Sequence, residues 1–178
     1  MSFNRAKFRA LVHYIVWRAG GRESFGATKL NKVLWFADAR TYMLHGHPIT
    51  GESYIRQKHG PVPQHIDAIL AELVADGTLR SWTEPFEMVT IRRFTTDVAP
   101  DTSPFSAGEL SVVDWWIKHV ADEHTARSIS EFSHNYTWEI AAMGEEIPLY
   151  AVFASQIRAP LGKELEWAKA EAERLGLA

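Results

Sequence analysis

Apolar residues recur at helical spacing over much of the chain. Phe8, Leu11, Val12, Ile15, Val16 and Ala19 lie on one side of a 3.6-residue wheel and predict a helix over 4–19, closed by Gly20-Gly21. A second helix is expected from an N-cap at Thr28 to about Leu44. Leu30, Val33, Leu34, Ala37, Thr41 and Leu44 form its stripe, and Trp35, Phe36, Tyr42 and Met43 fill much of the rest. A helix apolar nearly all round belongs at the centre of a fold. After Gly46-His47-Pro48 the stretch 49–59 reads as extended. Pro63 suits the first turn of a helix that buries Ile66, Ile69, Leu70, Leu73 and Val74 and ends at Asp76-Gly77. Leu79–Thr83 and Met88–Phe94 read as a β-hairpin, and 95–104 as a surface linker.

Ser106 and Glu109 have the spacing of a capping box, opening a helix to about Ala121 with Leu110, Val113, Ile117 and Val120 inward. Trp116 falls on the flank of that stripe, and Trp115 on the opposite side, beside Lys118. A short helix over 126–133 follows. A last amphipathic helix from near Pro160 carries Leu161, Leu165, Ala168, Ala172 and Leu175. The expected fold is α+β, mostly α: a helical bundle around the helix at 28–44 with a small antiparallel sheet, winged-helix-like in part. Residues 1–155 are expected to form one domain, with 156–178 as a helical extension packed on it or projecting from it.

The 178 residues suit one domain with its own core, and 46% hydrophobic with 23% charged residues rules out a mostly disordered chain. With no Cys, a disulfide scaffold, a thiol nucleophile and a Cys-ligated zinc are excluded. The longest charge-free stretches, Thr41–Gly51 and Ile147–Ile157, are far shorter than a membrane helix of about 20 residues. His13 and Arg18 break the apolar run near the N-terminus, which favours an ordinary helix over a targeting segment. The net charge of −3 is unevenly placed: +7 over residues 1–60 and −10 over 61–178. Such halves attract each other within one domain, or offer a basic face to an acidic partner.

Chemistry is sparse. There is no phosphate-cradling glycine loop and no nucleophile elbow. His45 and His47 are close but lack an obvious third ligand, so no metal and no cofactor are expected. The helix at 63–76 followed by a hairpin has the order of a winged helix. Its outer face, however, shows Gln64, His65, Asp67, Glu72 and Asp76 without a Lys or Arg, which disfavours a DNA groove.

The run Lys29-Leu30-Asn31-Lys32-Val33-Leu34-Trp35-Phe36-Ala37, then Gly46-His47-Pro48-Ile49 and His59-Gly60-Pro61-Val62, resembles the ordered blocks of the Panacea, or SocA-like, antitoxin domain. Ser130-Glu131-Phe132-Ser133-His134 with Trp138 resembles a later block of the same family, and the likeness extends over about 4–153. The resemblance implies a non-enzymatic, phage-associated, cytoplasmic antitoxin. It would neutralise a cognate toxin protein by direct contact, or deliver it to a protease. Partner-binding candidates are Trp115, Lys118, Lys29, Lys32, His59, His134 and Trp138, with the two lysines of the second helix expected in solvent or against acids of residues 61–178 or of a toxin. Gly60, Pro61, Leu34 and Phe36 are expected to be structural. A homodimer stays open, and no membrane is expected. The alternative readings are a winged-helix DNA-binding regulator and, third, a hydrolase with a non-standard site.

Overall fold

The computed structural model describes residues 2–86, 89–156 and 162–174. It is mostly helical with small antiparallel sheets, as the apolar periodicity predicts. Helix α1 (Arg5–Ala19) is opened by Asn4, whose side chain accepts from the Lys7 N–H at 3.0 Å. Helix α2 (Ala27–His45) is the hub: it packs on α1, on α4 (Ala107–Asp122), on α5 (Ala126–Ser133), on both sheets and on a 3-10 segment, Leu149–Gln156. Leu30, Val33, Leu34 and Ala37 are wholly buried, and Trp35 and Phe36 nearly so. The N-cap is Gly26 rather than Thr28, so α2 starts one residue before the threonine and makes no side-chain cap bond there. Gly46 ends it with φ +76° and its N–H on the Tyr42 carbonyl at 2.8 Å, a left-handed cap that glycine adopts without strain.

Strand β1 (Tyr54–Gln57) lies between β2 (Gly60–Pro63) and β5 (Glu146–Ile147), antiparallel to both. Tyr54 faces Pro63 in one register and Ile147 in the other. Pro61 and Pro63 therefore belong to an edge strand, not to a turn and a helix start. Opposite Pro61, the Arg56 carbonyl accepts from the Gly144 N–H at 2.9 Å and the Arg56 N–H donates to the Glu145 carbonyl at 2.8 Å, so the missing proline donor leaves no ladder bond unmade. Helix α3 (Ile66–Ala75) begins three residues later than Pro63; it buries Ile66, Ile69, Leu70 and Leu73, but Val74, expected inward, is exposed because it falls beside the inward face rather than on it.

Strands β3 (Arg80–Phe86) and β4 (Val89–Thr95) form the expected hairpin. The order α3–β3–β4 is that of a helix and its wing. Because the chain enters α3 from β1–β2 rather than from a helix, the winged-helix likeness stops at that order.

The capping box at Ser106 and Glu109 opens α4 with both reciprocal bonds made. A second box, Thr125 with Ser128, opens α5, and α6 (Tyr136–Glu139) follows with Asn135 as its cap. Helix α7 (Gly162–Arg174) carries the expected last segment. Leu161 and Leu175 lie outside the described residues, and the side chains of Leu165 and Ala168 are likewise outside the description.

Arg5, Arg9, Arg18, Arg22 and Lys7 reach Glu72, Asp76, Asp114, Asp122 and Glu109 respectively. The basic first third of the chain is thus closed onto acids of α3 and α4.

Candidate functional site

The three sequence blocks converge beneath the β1–β2 hairpin. Lys32, from the second turn of α2, lies under Gly60 and Pro61, and its Nζ donates to the Pro61 carbonyl at 3.2 Å. Lys29 donates to the Ala121 carbonyl at 3.1 Å. Each lysine is only 1% exposed, which corrects the expectation that they stand in solvent. The cause is packing: α1, α4, α5 and β2 close around the first part of α2, whose exposed side chains are Arg40, Leu44 and His45. Burial without a facing carboxylate pulls the Lys32 ammonium down to about 7, and burial also lowers Lys29.

Gly60 fits this place for two reasons. Its φ of +98° is the left-handed region, and a Cβ there would fall onto the Ser133 hydroxyl and the Lys32 amine. Ser133 is fully buried and donates to the Ser130 carbonyl at 2.7 Å.

His134, the C-cap of α5, stacks on Trp138 with ring centroids 4.1 Å apart and planes within 18°. The Arg56 guanidinium lies over the same indole at 3.9 Å and donates to the Ala141 carbonyl at 2.6 Å. Trp138 Nε1 donates to the Gln57 carbonyl at 3.2 Å, tying α6 to β1. Burial, and then the positive Lys32, His59 and Arg56, keep the His134 imidazole below its ordinary pKa. His134 Nε2 and Arg56 Nε are both buried without a partner. His59 stands exposed in the hairpin turn.

Trp115 and Lys118 are not part of this cluster. They line an open groove on the outer side of α4, with Arg18, Arg22, Asp114 and Asp122. Trp115 is 56% exposed, and Lys118 has no hydrogen-bond or ion-pair partner among the described residues. From Trp115 a chain of rings runs inward and across the surface. Trp115 stacks on His119 at 4.8 Å, Trp116 stacks on Phe36 at 4.5 Å, and Phe36 meets Phe132 at 5.5 Å. Phe36 and Leu34 are buried.

One buried polar cluster has no counterpart in the sequence reading. Asp38 is fully buried and accepts from Ile49 N–H at 2.8 Å, the Tyr54 hydroxyl at 2.7 Å and the Thr50 hydroxyl at 3.3 Å. Burial raises its carboxyl to about 6 against the lowering effect of those donors. A signal was there: a lone acid on a helix otherwise apolar all round requires buried donors. Among the described residues no group of three or more His, Cys, Asp or Glu is placed to hold a metal ion. No helix among them is long and apolar enough to cross a membrane.

The buried contacts between α2, the β1–β2 hairpin and α5–α6 are also where the comparison with known families falls. The family model of the SocA-like antitoxin, Panacea domain, matches residues 30–139. The chain belongs to this family. The match opens one residue after Lys29 and closes one after Trp138, so it encloses the Lys32–Gly60–Ser133–His134 cluster and the ring chain from Phe36 to Phe132. No curated protein and no solved structure matches the chain. In this Panacea domain Lys29, Lys32, Gly60 and Ser133 are buried, whereas His59 and Phe132 are exposed.

Proposed function

We propose that this protein is a cytoplasmic, non-enzymatic antitoxin that neutralises one cognate toxin by covering its working surface. The observation that carries the reading is the family match over 30–139. What the surface offers agrees with it: Trp115, a large ring more than half exposed, stands beside the unpaired Lys118. An exposed tryptophan backed by packed rings is the usual form of an interface anchor. Among the contact candidates drawn from the family blocks His59 is the exposed one, and it joins Trp115 and Lys118. Lys29, Lys32, His134 and Trp138 act from beneath the surface by shaping it. We assign residues 1–155 to the antitoxin domain and 156–178 to a helical extension of it.

DNA binding is the weaker alternative. Asp67, Glu72 and Asp76 of α3 are engaged by Arg92, Arg5 and Arg9, so the helix presents acids already locked to neighbouring elements and no free cation for phosphate.

The test is affinity purification of the tagged chain from its host, followed by expression of any stoichiometric partner alone and together with this chain. A partner that arrests growth alone and is silenced by co-expression supports the reading. Nucleic acid released by salt, with no protein at stoichiometry, overturns it.

A further inference from the structure

We propose that α6 and the 3-10 segment Leu149–Gln156 form a docking face for a basic, apolar-bearing surface of the protein partner; this rests on the reading that the chain works by protein contact. From 128 to 156 there is no Lys or Arg, while Glu131, Glu139, Glu145 and Glu146 all fall within it. The same stretch exposes large apolar side chains. Tyr136 and Ile140 are four residues apart at α6, and Tyr150 and Phe153 are three apart on the 3-10 segment. Tyr150 is 66% exposed and Met143, in the turn between, 58%.

These side chains belong to one packed unit. Helix α6 lies against the 3-10 segment, and the buried Thr137 donates its hydroxyl to the Ala151 carbonyl at 3.2 Å. Thr137 and Ala151 occupy the inner sides, which leaves Tyr136, Ile140, Tyr150 and Phe153 outward.

The charges around them decide the occupant. Several acids elsewhere are answered internally, as Glu72, Asp76, Glu109, Asp114 and Asp122 are by cations of the first 22 residues, and Glu131 is met by Arg127. Glu139 and Glu145 have no side-chain partner among the described residues, and Glu146 has only the Ser53 hydroxyl. Arg56, the cation beside this face, is already committed to Trp138 and to the carbonyls of Glu139 and Ala141. An apolar surface rimmed by unanswered carboxylates selects a partner with apolar groups among Lys and Arg: burial supplies affinity, and opposite charge supplies encounter rate and choice. A second copy of this chain would set carboxylates against carboxylates across a two-fold axis, and nucleic acid would be repelled.

The probe is an amphipathic Lys/Leu peptide of about 16 residues, long enough for four helical turns, titrated into the isotope-labelled full chain while backbone amides are followed by NMR. Saturable shifts are expected over 136–153, weakening as salt rises from about 20 to about 300 mM. Glu139→Lys with Glu145→Lys is expected to weaken binding about tenfold or more at low salt. Tyr150→Ser is expected to weaken it with the salt slope unchanged. All three positions are exposed, so the variants keep the parent's melting temperature. No saturable shift, shifts centred on Trp115 or on β3–β4, or equal binding of a Glu/Leu peptide overturns the proposal. None of these results touches the antitoxin reading, which the purification decides by itself.

Discussion

Lys32 and Asp38 are the two residues whose protons report on the fold. Folded, Lys32 titrates at about 7 against 10.5 for the free group. Between those values the unfolded chain holds a proton that the folded chain lacks, so this residue makes stability rise with pH above about 7, by up to about 1.4 kcal/mol per unit. Lys32→Met keeps the stem and drops the charge. Its urea midpoint is expected above the parent's at pH 7, with the two converging near pH 10. Asp38 works the other way. Its folded value of about 6 lies above the unfolded 3.8, so the folded chain keeps a proton longer, and stability falls as pH rises from about 4 to about 6. Melting temperatures across that window should fall less in Asp38→Asn than in the parent. An equal fall in both would mean that Asp38 keeps an ordinary carboxyl pKa when folded.

At the scale of elements, one glycine joins the β1–β2 hairpin to α2 and α5. Gly60→Ala brings a left-handed backbone strain together with a collision against the buried Ser133 hydroxyl and Lys32 amine. The expected loss is about 2–4 kcal/mol in chemical denaturation, with the hairpin amides exchanging fastest. The α4 capping box is a milder case. Ser106→Ala removes the acceptor for the Glu109 N–H at 3.2 Å and should cost about 1 kcal/mol. A much larger loss would show that the start of α4 is held by more than its cap.

For the whole molecule, the closure of the basic first third onto α3 and α4 is the dominant electrostatic feature, and its pairs differ in strength. Lys7 and Glu109 meet at 2.6 Å with side chains only 16% and 14% exposed, whereas Arg5 and Glu72 are nearly half exposed. Double-mutant cycles are expected to give about 1 kcal/mol of coupling for Lys7→Met with Glu109→Gln, and under about 0.5 kcal/mol for Arg5→Met with Glu72→Gln. These internal pairs engage five of the ten cations of residues 1–60, with the four arginines still partly exposed. Glu139 and Glu145, whose side chains have no partner among the described residues, lie on the face proposed to meet a partner.

The helices and the hairpin were legible because amphipathic period, capping boxes and glycine stops are local properties. The period of α2 even told that it lies at the centre. Its lysines were misread from that same sequence, since the polar type of Lys29 and Lys32 says solvent and only the packing of α4 and β2 around α2 says otherwise. Pro61 and Pro63 were ambiguous for a similar reason: proline is equally at home in a turn, a helix start or an edge strand, and pairing with β1 decided. The blocks that carry the family likeness could be read in order, but their meeting under Gly60 could not, because Lys32 and Ser133 are a hundred residues apart. The sequence by itself determined the elements, the charge imbalance and the family. Tertiary structure decided which side chains meet, which charges are answered and which rings stay in solvent, because burial belongs to the packed chain and not to any residue alone.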